Sequence, residues 1–171
     1  MDERSVRMNT NALLDLLEKN ARLSSRDLAD ILEEEQEMVE AAIKDLEKDR
    51  IICGYHTVIN YNRGYKDEKV MAFIEVDCRP TRDKGYEQTA HRIANYPEVT
   101  TMYLLSGDCD FLCLVEGRTM FEVARFVYEK ISTVDDVTAT KTLFVLKEYK
   151  RNGIIMLDEE AKPSNRLVVT P

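Results

Sequence analysis

Leu105-Ser106-Gly107-Asp108-Cys109-Asp110-Phe111-Leu112 is the stretch on which the fold turns. Its glycine and aspartates predict a tight turn over Ser106–Asp110. Val99 to Leu105 before it and Phe111 to Val115 after it read as strands, which makes the segment a hairpin. Upstream, residues 82–95 read as a helix with Tyr86, Ala90 and Ile93 inward. Downstream, a second helix runs from Thr119 to about Ile131, with Phe121, Val123, Ala124, Val127 and Tyr128 supplying much of its apolar content. Val70 to Val76 reads as a strand before the pair, and Val137 to Tyr149 as a long strand after it, with Thr138, Thr140 and Thr142 at period two. The order is β-α-β-β-α-β, the ferredoxin-like arrangement. Both helices then lie on one face of a four-stranded antiparallel sheet. Apolar residues on the other face predict pairing with a second chain, face to face or edge to edge.

The first sixty residues follow a different rhythm. Leu13, Leu14, Leu16 and Leu17 predict an amphipathic helix over 8–20. Ser24 is a natural N-cap for a second helix, 25–33, with Leu28, Ala29, Ile31 and Leu32 as its stripe. A third helix over 36–49 carries Val39, Ala42, Ile43 and Leu46 at i, i+3, i+4, i+7 spacing. The run Ile51 to Ile59 is β-rich and leaves this small domain. The predicted class is α+β: a winged-helix-like helix-turn-helix domain over 1–60, a polar linker over 61–69, and a ferredoxin-like domain over 70–150. The tail, 151–171, has Ile154 to Leu157 as a short strand and Asp158 to Glu160 as a turn. Its apolar end, Arg166 to Pro171, is expected to dock on the oligomer.

Composition limits the function. The 171 residues are 44% hydrophobic, which excludes wholesale disorder. No apolar run approaches the roughly 20 residues of a membrane span. The polar start, Met1-Asp2-Glu3-Arg4, lacks a signal peptide's apolar core, so a soluble cytoplasmic protein without a membrane partner is expected. Cys53, Cys78, Cys109 and Cys113 form no C-x-x-C pair, and His56 and His91 stand apart, so neither metal nor cofactor is expected. No Ser/His/Asp set is suggested, and the pair Asp108 and Asp110 would need a third group for acid–base work. The expectation is a protein that is not an enzyme.

Three stretches carry a resemblance. Asn20-Ala21-Arg22-Leu23-Ser24 with Leu28-Ala29, then Ile51-Ile52-Cys53-Gly54-Tyr55, then the Gly107–Asp110 turn occur in an order and spacing that resemble the Lrp/AsnC family (the leucine-responsive and asparagine-responsive regulators). The resemblance covers roughly residues 10–150. It implies a transcription regulator that binds DNA as a homodimer, assembles into larger rings such as octamers, and responds to an amino acid held near the Gly-x-x-Asp turn. Where the family usually has Gly before its recognition helix, this chain has Glu33, and where it has a Ser cap, Glu35. Ala42 stands for an Arg, Arg50 for a Gly, and Cys109 for a frequent Tyr.

The charge of the reading head runs against DNA. Glu33 to Glu40 holds five glutamates and no Lys or Arg, and residues 1–60 carry 8 Lys/Arg against 14 Asp/Glu. DNA binders neutralise phosphates with basic side chains. Here those contacts would fall to Arg22, Arg26, Lys44, Lys48 and Arg50, with Arg4 and Arg7 from the tail and Gln36 reading adenine. At the turn, backbone N–H groups around Ser106 and Gly107 can meet a ligand carboxylate, and Asp108 or Asp110 its ammonium, with Thr138 and Thr140 adding hydroxyls. Two readings follow: a DNA-binding regulator responsive to an amino-acid-like ligand, or an effector-sensing oligomer that acts through a protein partner.

Overall fold

The structure is a computed structural model and describes residues 8–61, 69–80 and 85–157. It divides into two compact units, Met1–Thr57 and Val58–Pro171. Arg4, Arg7, the Asp158–Glu160 turn and the Arg166–Pro171 docking segment lie outside the described residues.

The first unit is three helices: α1 (Thr10–Lys19), α2 (Ser25–Leu32) and α3 (Gln36–Lys48). Leu13, Leu17, Leu28, Ala29, Val39 and Leu46 close its core. Ile31, expected in the buried stripe of α2, is 54% exposed. Position 31 lies about 200–300° around the helix from Leu28 and Ala29, and those two already face α1 and α3. Ser24 caps α2 through a capping box: its Oγ accepts from Asp27 N at 3.1 Å, and the Asp27 carboxylate accepts from Ser24 N at 2.9 Å. Both helix ends are closed by carbonyl-capping turns. Glu34 N donates to Ala29 O, and Ile51 N and Ile52 N donate to Leu46 O at 2.9 and 3.1 Å. These turns force positive φ on Glu33 and Arg50, both at 57°. The β-rich run 51–59 forms no strand among the described residues, so the wing expected there is absent within one chain. The amides of Ile51 and Ile52 are spent on the end of α3, and among the described residues no neighbouring strand accepts the rest.

The second unit follows the predicted order: β1 (Val70–Cys78), α4 (Glu87–Ala94), β2 (Val99–Leu104), β3 (Phe111–Gly117), α5 (Met120–Phe126) and β4 (Val137–Phe144). The strands are antiparallel in the order β2-β3-β1-β4. Ala72, Ile74, Val76 and Cys78 on β1 and Phe111, Cys113 and Val115 on β3 face the helices, meeting Ile93, Val123, Phe126, Val127 and Ile131. Each side chain of that size stabilises by about 1.5–3 kcal/mol when fully buried. The opposite face carries Phe73, Tyr103 and Leu143 exposed.

Two boundaries differ from expectation. β4 stops at Phe144, opposite Ala72 near the start of β1, and Val145 N makes one further bond to Met71 O. Lys150–Arg151 (β5) and Ile154–Ile155 (β6) instead form a separate hairpin around Asn152 and Gly153, both at positive φ. After Phe126, Val127–Ile131 forms a single π turn, closed by Ser132 N donating to Val127 O at 2.8 Å. Phe121 and Tyr128 point outward, 73% and 77% exposed.

Two predictions follow from these elements. Glu33→Gly and Arg50→Gly relieve left-handed backbone strain of roughly 1 kcal/mol each. Each should raise the urea midpoint; an unchanged or lower midpoint would show that the side chains compensate for the strain. The second concerns the buried thiols. Burial pushes Cys113 from 9.0 up to about 12 and Cys78 up to about 11. The folded form therefore keeps protons that the unfolded chain releases above pH 9, and stability falls as pH rises from 9 toward 12. Cys113→Ala should lower stability at pH 7 by about 1 kcal/mol yet flatten that alkaline decline. A decline of unchanged slope would assign it to other groups.

Candidate functional site

In the helical unit, Arg22, Arg26, Gln36, Lys44, Lys48 and Arg50 are all exposed. They do not form one patch by sequence position alone. Arg22 precedes α2, and its N–H donates to Asn20 Oδ1 at 3.1 Å, while Arg26 lies in the first turn of α2. Gln36, Glu40, Lys44 and Lys48 follow one another at i+4 along α3 and so share a stripe. Gln36 Nε2 donates to Glu40 Oε1 at 2.9 Å, which commits part of the one amide proposed to read a base. Glu35 stands at the N-cap of α3 without a side-chain cap bond. Glu37 lies in the first turn of α3 and Lys48 in its last, where each complements the helix dipole, whereas Asp45 and Glu47 near the C-terminal end oppose it. Part of the acidity therefore has a purely helical role.

In the second unit, Leu105 N donates to Asp110 O at 2.8 Å and closes the Ser106–Asp110 turn. Ser106, Gly107 and Asp108 are exposed. A Cβ added at Gly107 would meet open space, so the backbone there is accessible from outside. Asp110 is half-buried and committed. Its Oδ2 accepts from Cys78 N at 2.7 Å and its Oδ1 from the Tyr86 hydroxyl at 2.8 Å. Tyr86 rests edge-on against Phe111, with ring centroids 5.6 Å apart. The hydrogen bond to Asp110 holds the Tyr86 phenol above its usual range. Sequence reasoning took Tyr86 only as a core residue. Its 24-residue separation from Asp110 leaves no local signal of the bond.

Among the described residues, no hydrogen bond links Thr138 or Thr140 to this turn. Val76 pairs with Thr140, so Thr140 lies on the helix face of the sheet, and its Oγ1 stands 3.4 Å from Ser132 Oγ. Thr138 Oγ1 donates to Asp77 O at 3.1 Å. The opposite face at this end holds Lys141, whose Nζ is 3.0 Å from Glu75 Oε2. Its ammonium is held above its ordinary range chiefly by Glu75, with smaller help from Cys109 and Asp108. Among the described residues, no three His, Cys, Asp or Glu side chains gather to hold a metal ion, and no helix is long and apolar enough to cross a membrane.

The Lrp/AsnC ligand binding domain model matches residues 71–155. An HTH-type transcriptional regulator of Bacillus subtilis, YugG, is 38% identical over 133 residues, covering 78% of this chain and 79% of the relative. Escherichia coli AsnC superposes with a TM-score of 0.62 at 25% identity, covering 83% of this chain and 93% of that one. A transcriptional regulator of Neisseria meningitidis, solved as a complex with L-methionine, superposes with a TM-score of 0.64 at 25% identity, covering 86% and 94%.

Proposed function

Because this chain belongs to the Lrp/AsnC family of transcriptional regulators, we propose that it binds DNA through α2 and α3 and takes an amino acid at the Ser106–Asp110 turn. The observation that carries the effector half is the turn itself. An exposed, accessible backbone at Gly107 adjoins one free and one braced carboxylate. Backbone N–H groups suit a ligand carboxylate, and a side-chain carboxylate suits its ammonium. The relative solved with L-methionine supports an amino acid as the ligand class.

The DNA half rests on the family and on the exposed basic residues Arg22, Arg26, Lys44, Lys48 and Arg50. Their number is small and Glu37 stands among them, so the counterion-release contribution is small and non-specific affinity is low. A homodimer, and an octamer built from it, supply several reading heads and raise effective concentration. The exposed open face with Phe73, Tyr103 and Leu143 supports that pairing. The regulator acts in the cytoplasm and has no chemistry of its own. A second reading, in which α3 meets a protein partner instead of DNA, is favoured by Gln36 being tied to Glu40.

Two experiments decide between these readings. Glu37→Lys with Glu40→Lys should tighten non-specific duplex binding and steepen its salt dependence, by up to about two charges' worth of slope per head. Anisotropy on a scrambled duplex at several salt concentrations measures this; an unchanged slope would mean that α3 does not face DNA. A thermal-shift panel of the twenty amino acids should show stabilisation by one or a few of them. A flat panel would remove the effector half.

A further inference from the structure

We propose that the two carboxylates of the effector turn divide the work: Asp108 takes the ligand's ammonium group, and Asp110, held by Tyr86, positions the turn. This rests on the effector reading above and goes beyond it in naming which group touches the ligand.

Asp110 has both oxygens in use. Cys78 N–H donates to Oδ2 at 2.7 Å and the Tyr86 hydroxyl to Oδ1 at 2.8 Å. Its own carbonyl accepts from Leu105 N at 2.8 Å. These three bonds tie the start of β3 to the end of β1, to the residue that begins α4, and to the end of β2. The Tyr86 ring is packed edge-on against Phe111, so its hydroxyl is delivered by the core rather than by a free rotor. A carboxylate has about four lone-pair sites, and this one spends its two best-placed ones inside the fold. Recruiting it for a ligand would mean breaking or sharing a bond that holds the sheet to α4.

Asp108 differs in each respect. It is exposed, and among the described residues it accepts no hydrogen bond. It lies next to Gly107, where the backbone opens to solvent. A ligand whose carboxylate meets the turn's N–H groups would have its ammonium, one carbon away, within reach of a side chain one residue on. Lys141 lies close enough to feel the charge of Asp108, but its own ammonium is engaged by Glu75 at 3.0 Å. The Asp108 carboxylate is therefore the uncommitted anion of the turn.

The test compares each amino acid with its analogue lacking the amino group, using full-length protein and titration calorimetry. L-methionine is paired with 4-(methylthio)butanoate, and L-leucine with 4-methylpentanoate. The wild type should prefer the amino acid by about tenfold to a hundredfold, as a charge-assisted hydrogen bond gives. Asp108→Asn should bring the two affinities to within about threefold. Tyr86→Phe and Asp110→Asn should lower the melting temperature and weaken both compounds alike, leaving the preference intact. If Asp110→Asn does not fold, Tyr86→Phe, which removes only the hydroxyl, carries the comparison. A preference that survives Asp108→Asn, or one that collapses in Tyr86→Phe, would overturn the assignment while the effector reading stands. Wild-type protein that binds neither amino acid nor any other of the twenty would overturn both.

Discussion

Strand β1 must satisfy two neighbouring strands and one layer of helices at once, and the rest of the second unit is arranged by that demand. It is hydrogen-bonded to β3 on one side and β4 on the other. Its even-numbered residues Ala72, Ile74, Val76 and Cys78 go under the helices, so its odd-numbered residues Phe73, Glu75 and Asp77 go to the open face. Register then carries the same parity to both neighbours. Val76 brings Thr140 to the helix side, and Glu75 brings Lys141 to the open side.

The helical unit is governed by a different constraint, the closure of helix ends. Ser24 and Asp27 close the start of α2, and Glu33 and Arg50 accept left-handed backbone at the ends of α2 and α3. Non-glycine residues at such turns cost stability but add charge. At Glu33 that charge is negative and continues into the acidic first turn of α3, where it complements the helix dipole. The acidity of the head thus joins a local benefit to helix formation with a long-range cost for meeting a polyanion.

Much of this was legible from the chain, for physical reasons. Apolar strand-like runs, with period two in the last of them, located all four strands of the main sheet, and i, i+3, i+4 spacing with Ser24 as a cap located the three helices of the first unit. What failed was whatever depended on partners distant in sequence. Val145 to Tyr149 keeps strand-like composition, but β1 offers it no partner beyond Val70. Ile51 to Ile59 is equally β-rich, yet its first amides are taken by Leu46 O. The Lys150–Ile155 hairpin carries a local signal in Asn152-Gly153, a residue pair suited to the positive φ of its turn. At the site, Ser106–Asp110 was read correctly as a turn. The commitment of Asp110 to Tyr86 and Cys78 was not readable, since both partners are brought in only by the packed sheet.

The π turn at Val127–Ile131 has a bearing on how this chain can vary in length. A π turn holds one more residue than an α-helical turn, so the helix can carry one extra residue here while both flanks still meet the core. Val123 and Phe126 before it, and Ile131 and Val134 after it, all still reach the core. A homologue one residue shorter in this segment would keep the same three-dimensional frame with an unbroken α-helix. A gap placed here in an alignment therefore marks a change of local winding, not of architecture.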